Sequence, residues 1–158
     1  MTNAMDWTRS FWIAPLLMAI VSGPASPLFK DSADSAVIVN SGSTNIAGFR
    51  ITVARSGQAD YIATPRRFGP QSREKPEPAH KKLPRALAEK FFSDLERAQP
   101  LSSLPQPHCM KSASFGSNLR VEFGDEKTPD LSCGDAGSDA LQALIGDVKE
   151  ITALFSEK

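Results

Sequence analysis

The first apolar patterns along the chain have the period of β-strands. Residues 37–39 form a short apolar run, and residues 49–53 place large apolar side chains at alternate positions. A period of two is typical of a strand with one buried face. A third short run at residues 61–63 follows turn residues at 56–58, so we predict a three-stranded antiparallel meander over residues 36–64.

Two later patterns have the helical period. Leu87, Phe91 and Leu95 recur at i, i+4 and i+8, which predicts a helix with one buried stripe. A second apolar stripe at residues 141–155 follows Ser138, a residue type that suits the N-cap position. These two segments predict two amphipathic helices.

Residues 109–133, between the two helices, predict a hairpin. Apolar positions alternate with serine at residues 112–115 and with charged residues at 119–123, and a Gly-Ser-Asn turn separates the two runs. The resulting order is β-β-β-α-β-β-α. We therefore expect the α+β class, with an antiparallel sheet of about five strands, both helices on one face, and one disulfide.

Residues 1–25 have the pattern of a cleaved signal peptide. An eleven-residue apolar run at 11–21 precedes the small residues 23–25, which suits cleavage after Ala25. Eleven residues rise only about 16 Å as a helix, against a hydrocarbon core of about 30 Å. We expect export to the periplasm or the exterior, with residues 26–158 as one small domain. An uncleaved signal is the alternative, and it is the only membrane attachment we expect.

The two cysteines of the chain, Cys109 and Cys133, predict a disulfide because export places them in an oxidising compartment. Closing a loop of this length stabilises the fold by about 3 kcal/mol. A zinc site with His80 and His108 is an alternative, although no close pair of ligands begins it. A Cys–His nucleophile is another, although neighbouring residues of a strand point to opposite faces.

The composition is balanced overall but uneven along the chain. Hydrophobic residues make up 41%, and 18 basic residues match 18 acidic ones, which suits a globular domain. Residues 65–82 are rich in proline and basic side chains, which predicts an exposed loop without regular structure. Residues 64–90 carry a net +5 and residues 122–158 a net −6. A solvated basic loop is one interpretation; self-association or an acidic partner is the other.

Candidate chemistry is sparse. Nucleic acid is not expected as a partner, because the basic stretch offers only Phe68 for stacking. The Ser-x-x-Lys spacing of Ser72 and Lys75 lies in the Pro-rich loop rather than at the start of a helix. The acidic residues between 125 and 139 lack the spacing of a calcium loop, which favours a solvated acidic loop. The sequence therefore predicts no catalytic residue, no metal and no cofactor.

The segment Ser-Gly-Ser through Ala-Gly-Phe at residues 41–49, followed by a helix, a hairpin and a closing helix, resembles emfourin-type protein inhibitors of secreted metalloproteases. In that family a Gly-rich loop between the first two strands meets the target enzyme. The resemblance implies that residues 41–48 contact a partner here. The implied contact residues are Ser41, Gly42, Ser43, Ala47 and Gly48. This chain lacks the paired glycines expected in the family, and it adds a disulfide and a long basic loop.

A second likeness involves Lys-Ser-x-Ser-Phe-Gly at residues 111–116 with Pro-Asp-Leu-Ser-Cys at residues 129–133. This combination is similar to exported bacterial proteins of unknown function, and it implies no activity. We expect an exported, non-catalytic domain that binds a protein or an envelope component, with protease inhibition as the specific form. The alternative is a small extracytoplasmic hydrolase whose site is assembled from scattered polar residues.

Overall fold

The structure of the protein, a computed structural model, describes most of the predicted domain. It covers residues 34–65, 78–106, 108–112, 114–134 and 138–156. The predicted signal peptide, residues 1–25, lies outside these ranges, and so does the middle of the predicted Pro-rich loop.

Six antiparallel strands form one sheet, with two helices in the same chain. The elements are β1 (Ser35–Asn40), β2 (Gly48–Ala54), β3 (Gln58–Thr64), β4 (Ala79–Lys82), α1 (Arg85–Arg97), β5 (Leu119–Phe123), β6 (Glu126–Lys127) and α2 (Asp139–Ser156). The strand order across the sheet is β4-β3-β2-β1-β5-β6. Short 3₁₀ turns at Leu101–Ser103 and Leu131–Cys133 complete the fold, and the predicted α+β class is confirmed.

Alternation along the strands gives the sheet one buried face. Ile38 of β1 lies opposite Ile51 of β2 and Val121 of β5, and all three side chains are fully buried. The helical stripes supply the other half of the same core, with Phe91 from α1 and Leu144 from α2 among its fully buried members. Both helices therefore cover one face, and the other face carries mostly half-buried side chains with exposed ones such as Arg50 and Ile62.

Strand β4 corrects one prediction. We expected residues 65–82 to hold no regular element, but Ala79–Lys82 pairs with β3. These four residues contain no proline, and as an edge strand they need hydrogen bonds on one side only. Lys81 and Lys82 are exposed, a composition that suits an edge because charge there discourages pairing with another chain.

The predicted hairpin also differs from the observed one. Residues 112–115 form no strand in the described part of the segment, because Ser114 and Phe115 lie in a turn and the Gly116 amide donates to the Ser112 carbonyl at 2.6 Å. On this side, strand β5 pairs instead with β6, which lies in the stretch predicted to be a solvated acidic loop.

Side chains protect the edge of β5 beyond the short β6. The Val121 amide donates to Oγ1 of Thr128 at 3.0 Å, and the Leu119 amide donates to Oδ1 of Asp130 at 3.1 Å. These two side-chain oxygens accept the hydrogen bonds that the carbonyl groups of a neighbouring strand would otherwise accept.

Candidate protein-contact surface

Two loops lie side by side at one end of the sheet. Strand β1 ends at Asn40, which pairs with Phe49 near the start of β2 and with Leu119 at the start of β5. Residues 41–47 leave and re-enter the sheet at this end and form the first loop. Residues 110–112 and 114–118 precede β5 and form the second loop. We call the two loops together the loop surface.

Two glycines set the shape of the first loop. Gly42 has a φ of +62°, and a Cβ on it would lie 2.6 Å from the Gly48 nitrogen. A Cβ on Gly48 would lie 2.5 Å from both the Asn40 carbonyl oxygen and Oγ1 of Thr64. Such contacts are far closer than real side chains make, so the backbone can fold this tightly only with glycine at both positions.

A serine closes the tip of the same loop. The Ser43 amide donates to the Ile46 carbonyl at 2.9 Å, and the Ile46 amide donates to Oγ of Ser43 at 3.2 Å. The Gly42 amide in turn donates to Oδ1 of Asn40 at 2.8 Å. These local hydrogen bonds to a serine and an asparagine side chain are typical of a turn.

Four hydrogen bonds join the two loops. Oγ of Ser43 and the Asn45 amide both donate to the Ser114 carbonyl, at 2.9 and 3.1 Å. The Ser41 amide donates to the Asn118 carbonyl, and the Asn118 amide donates to Oγ of Ser41, each at 2.9 Å. The loops are thus one connected surface rather than two independent ones.

Hydrogen bonds from Lys111 hold the second loop in place. Its ammonium donates to the Ser117 carbonyl at 2.6 Å, to Oδ1 of Asn118 at 3.0 Å and to Oγ of Ser132 at 2.6 Å. It also pairs with the carboxylate of Asp130. We call the pair of Lys111 and Asp130 the clasp, because it joins the second loop to the turn that follows β6.

The environment of Asp130 favours its charged form. Partial burial acts to raise its pKa, but hydrogen bonds from Lys111, from Ser132 and from the Leu119 amide outweigh that effect. The pKa of Asp130 therefore lies below its ordinary value. Sequence reasoning assigned this residue to a solvated acidic loop, and the structure shows a half-buried partner of Lys111 instead.

The predicted disulfide is confirmed and lies next to the clasp. Cys109 and Cys133 are bonded, with their Cα atoms 5.4 Å apart. Because both sulfurs are used in one bond, neither is a thiolate that could bind zinc or attack a substrate. His80 lies on β4, with its Nδ1 2.6 Å from Oδ1 of Asp60, and His108 is exposed.

The loop surface concentrates exposed apolar side chains. Four large apolar residues of the described chain are exposed, namely Ile46 (44%), Ile62 (52%), Phe115 (62%) and the fully exposed Met110. Three of these four belong to the loop surface, while Ile62 lies on the open face of the sheet. Isolated exposed apolar residues are common, whereas several in adjoining loops mark an interaction site.

The structure divides the predicted contact residues into two groups. Gly42, Ser43 and Gly48 are buried, so they shape the loop, and Ser41 is half-buried with its hydroxyl bonded to the second loop. Ala47 is exposed. Asn45 and Ile46 lie within the predicted contact segment 41–48 and are exposed, although they were not among its named residues. Sequence reasoning missed Met110 and Phe115. The Gly-Ser-Asn run after Phe115 was a turn signal, and it indicated a loop tip as well as the end of a strand.

A second polar cluster lies between the helices. Asp94 of α1 and Asp147 of α2 are 4% and 2% exposed, and the ammonium of Lys90 lies 2.8 Å from Oδ2 of Asp94 and 2.5 Å from Oδ1 of Asp147. Arg97 also pairs with Asp94. In the part of the chain that is described, Oδ2 of Asp147 has no hydrogen-bond partner.

The pKa values of the two carboxylates in this cluster are shifted in opposite directions. Burial raises the pKa of Asp147, and the neighbouring Asp94 adds to the rise, so the attraction of Lys90 offsets it only partly. Burial also acts on Asp94, but hydrogen bonds from Lys90 and Asp147 lower its pKa. A general acid has to reach its substrate, and both groups are enclosed by the helices. We therefore interpret the cluster as a part of helix packing.

Neither a metal cluster nor a membrane-spanning helix occurs in the ranges that the structure describes. No three His, Cys, Asp or Glu side chains converge there in a way that could hold a metal ion. No helix among those residues combines the length and apolar character needed to cross a bilayer.

A scan with models of protein families found no matching family, and a search of curated proteins found no similar sequence.

Proposed function

We propose that the protein is an exported, non-catalytic binding domain that recognises a protein partner through the loop surface. The observation that carries this proposal is the pair of hydrogen bonds that the Ser114 carbonyl accepts from Ser43 and Asn45. They hold two loops with exposed apolar tips in one fixed arrangement. A surface that is ordered before binding loses less conformational entropy in the complex.

Export is supported by the signal-like sequence at residues 1–25 and by the disulfide, which is typical of oxidising compartments. The bond between Cys109 and Cys133 also braces the second loop, together with the clasp. Such staples are a common means of stability in small exported domains. The compartment and the architecture of the loop surface are thus consistent with one another.

The specific form that we propose is inhibition of an extracytoplasmic metalloprotease. The resemblance of residues 41–49 to emfourin-type inhibitors supports this form. Within that segment, the exposed backbone between the two close glycines is the part that can enter a cleft. Asn45, Ile46 and Ala47 are its exposed residues.

The test is hydrolysis of a peptide substrate by purified secreted metalloproteases, with and without the purified exported protein. We expect slower hydrolysis at a protein concentration near that of the enzyme. Gly48→Trp should abolish the effect, because its side chain would displace the loop from Asn40 and Thr64. Ile46→Ser keeps the glycines and should weaken inhibition without unfolding the loop. If no enzyme of the panel is slowed and none binds the protein, the proposed function is wrong.

A further inference from the structure

We infer that the loop surface takes an uncharged, apolar cleft of a protein partner, with Phe115 as its main anchor and Ile46 as its second. This inference rests on the proposed function and specifies the chemistry of the partner. It assigns to the second loop the larger share of the binding energy, whereas the resemblance stated above concerns only the first loop.

Phe115 differs from every other phenylalanine in the described ranges. Phe49 and Phe155 each stack on Tyr61, and Phe91 and Phe123 each contact Phe92 edge-on. Phe115 has no such ring contact and is 62% exposed. Burial of a large exposed aromatic side chain in an interface is strongly favourable in free energy. Aromatic residues are also enriched among the residues that contribute most of the binding energy of interfaces.

A backbone hydrogen bond joins the segments that carry Ile46 and Phe115. The Asn45 amide donates to the Ser114 carbonyl, and Ile46 and Phe115 each follow one end of that bond. The two side chains therefore lie on neighbouring backbone segments. Because the bond and the clasp fix both segments, the two anchors are presented together and little ordering remains to be done on binding.

The electrostatics of the loop surface indicate the kind of cleft. Residues 41–47 and 114–118 contain no ionisable side chain. The ammonium of Lys111 is the nearest charge within the second loop, and the carboxylate of Asp130 neutralises it. A surface without net charge gains nothing from a charged partner, and a charged cleft would lose its hydration on contact.

The same observation favours a protein over a lipid surface or a strongly acidic partner. Loops that insert into anionic membranes combine apolar tips with free lysine or arginine side chains, and the loop surface provides none. Binding by these loops should therefore depend little on salt, since no ion pairs are made and few counterions are released.

The experiment measures the affinity of the purified exported protein for each metalloprotease of the panel at about 50 mM and about 500 mM NaCl. Phe115→Ala is compared with Ile46→Ala and with the matched control Ile62→Ala. The control removes an apolar side chain of intermediate exposure, 52% against 62% and 44%, from the open sheet face. We expect Phe115→Ala to lower the affinity about tenfold or more and Ile46→Ala to lower it less. We expect Ile62→Ala to bind as the parent does, and salt to change the affinity less than about threefold.

Each other result overturns the inference. Binding that is unchanged in Phe115→Ala, or that falls steeply with salt, refutes the apolar anchor and leaves the proposed function standing. Phe115-dependent partitioning onto phosphatidylcholine vesicles would identify a lipid surface as the occupant. Phe115-dependent dimers in sedimentation would identify a second copy of the chain. Absence of binding to every enzyme would overturn the proposed function and this inference together. Circular dichroism of each variant ensures that a loss of binding is not a loss of fold.

Discussion

The ammonium of Lys111 contacts the carboxylate of Asp130 across 19 residues of sequence. Both side chains are largely withdrawn from solvent, and Asp130 also accepts hydrogen bonds from the Leu119 amide and the Ser132 amide. One ion pair thus connects the second loop, the start of β5 and the turn that carries Cys133.

Removing the ammonium should destabilise the domain. Lys111→Met leaves the half-buried carboxylate of Asp130 without its cation, and we expect the free energy of unfolding to fall by about 1–3 kcal/mol. Urea denaturation followed by circular dichroism measures the change. Lys127→Met is the matched control, because Lys127 is an exposed residue of β6, and it should stay within about 0.5 kcal/mol of the parent. Equal losses in the two variants would mean that the clasp adds no stability.

The buried carboxylate of Asp147 should make stability depend on pH. Its pKa is raised in the folded protein by burial and by Asp94, so the folded state binds a proton more tightly than the unfolded state does. The stability that this proton contributes is present at low pH and is lost as the pH rises through the folded pKa.

Asp147→Asn should remove that loss and flatten the fall in unfolding free energy as the pH rises. Chemical denaturation at a series of pH values measures it. Glu150→Gln, at an exposed position of the same helix, should keep the parental pH profile. A profile for Asp147→Asn that parallels the parent would show that the carboxylate does not titrate in this range.

The disulfide should contribute a large share of the total stability. Cys109 and Cys133 are 24 residues apart, and the chain-entropy estimate for such a loop is about 3 kcal/mol. The double variant Cys109→Ala with Cys133→Ala should lose about that amount in guanidinium denaturation. Reduction of the parent protein should produce a similar loss. A double variant as stable as the oxidised parent would show that the clasp alone holds the second loop.

Two glycines should respond to alanine in opposite directions. Gly48→Ala forces a Cβ against Asn40 and Thr64, so we expect a loss of about 1–3 kcal/mol. Gly146 lies in α2 with nothing within 4 Å of a built Cβ, so Gly146→Ala should raise stability by about 0.5–1 kcal/mol. Thermal unfolding of both variants measures the two shifts. A stabilising Gly48→Ala would mean that the first loop relaxes without cost.

Much of the fold follows from short-range patterns. Alternation predicted β2 and β5, because each has one face in the core, and short apolar runs beside turn residues predicted β1 and β3. The helical period predicted α1 and α2, because each helix buries one stripe. The disulfide followed from a count of two cysteines and an expected compartment. For the strands and helices, the signal lies within a single segment, where burial restricts apolar residues to particular positions.

The missed features arise from contacts that impose no such period. Strand β4 is mostly exposed, and pairing with β3 rather than burial of its own side chains gives it its structure. The clasp joins Lys111 to Asp130 through the fold, and neither residue is marked by its neighbours. The apolar character of Phe115 predicted a buried position, whereas the turn at Ser114 places it in solvent.

The two edges of the sheet affect how readily the protein associates with itself at high concentration. On one side the lysines of β4 repel a second copy, and on the other Thr128 and Asp130 already occupy the amides of Val121 and Leu119. Within the described residues, both edges therefore discourage a neighbouring molecule from extending the sheet. The sheet should therefore remain six strands wide even at concentrations where chains with a bare margin grow into fibrils.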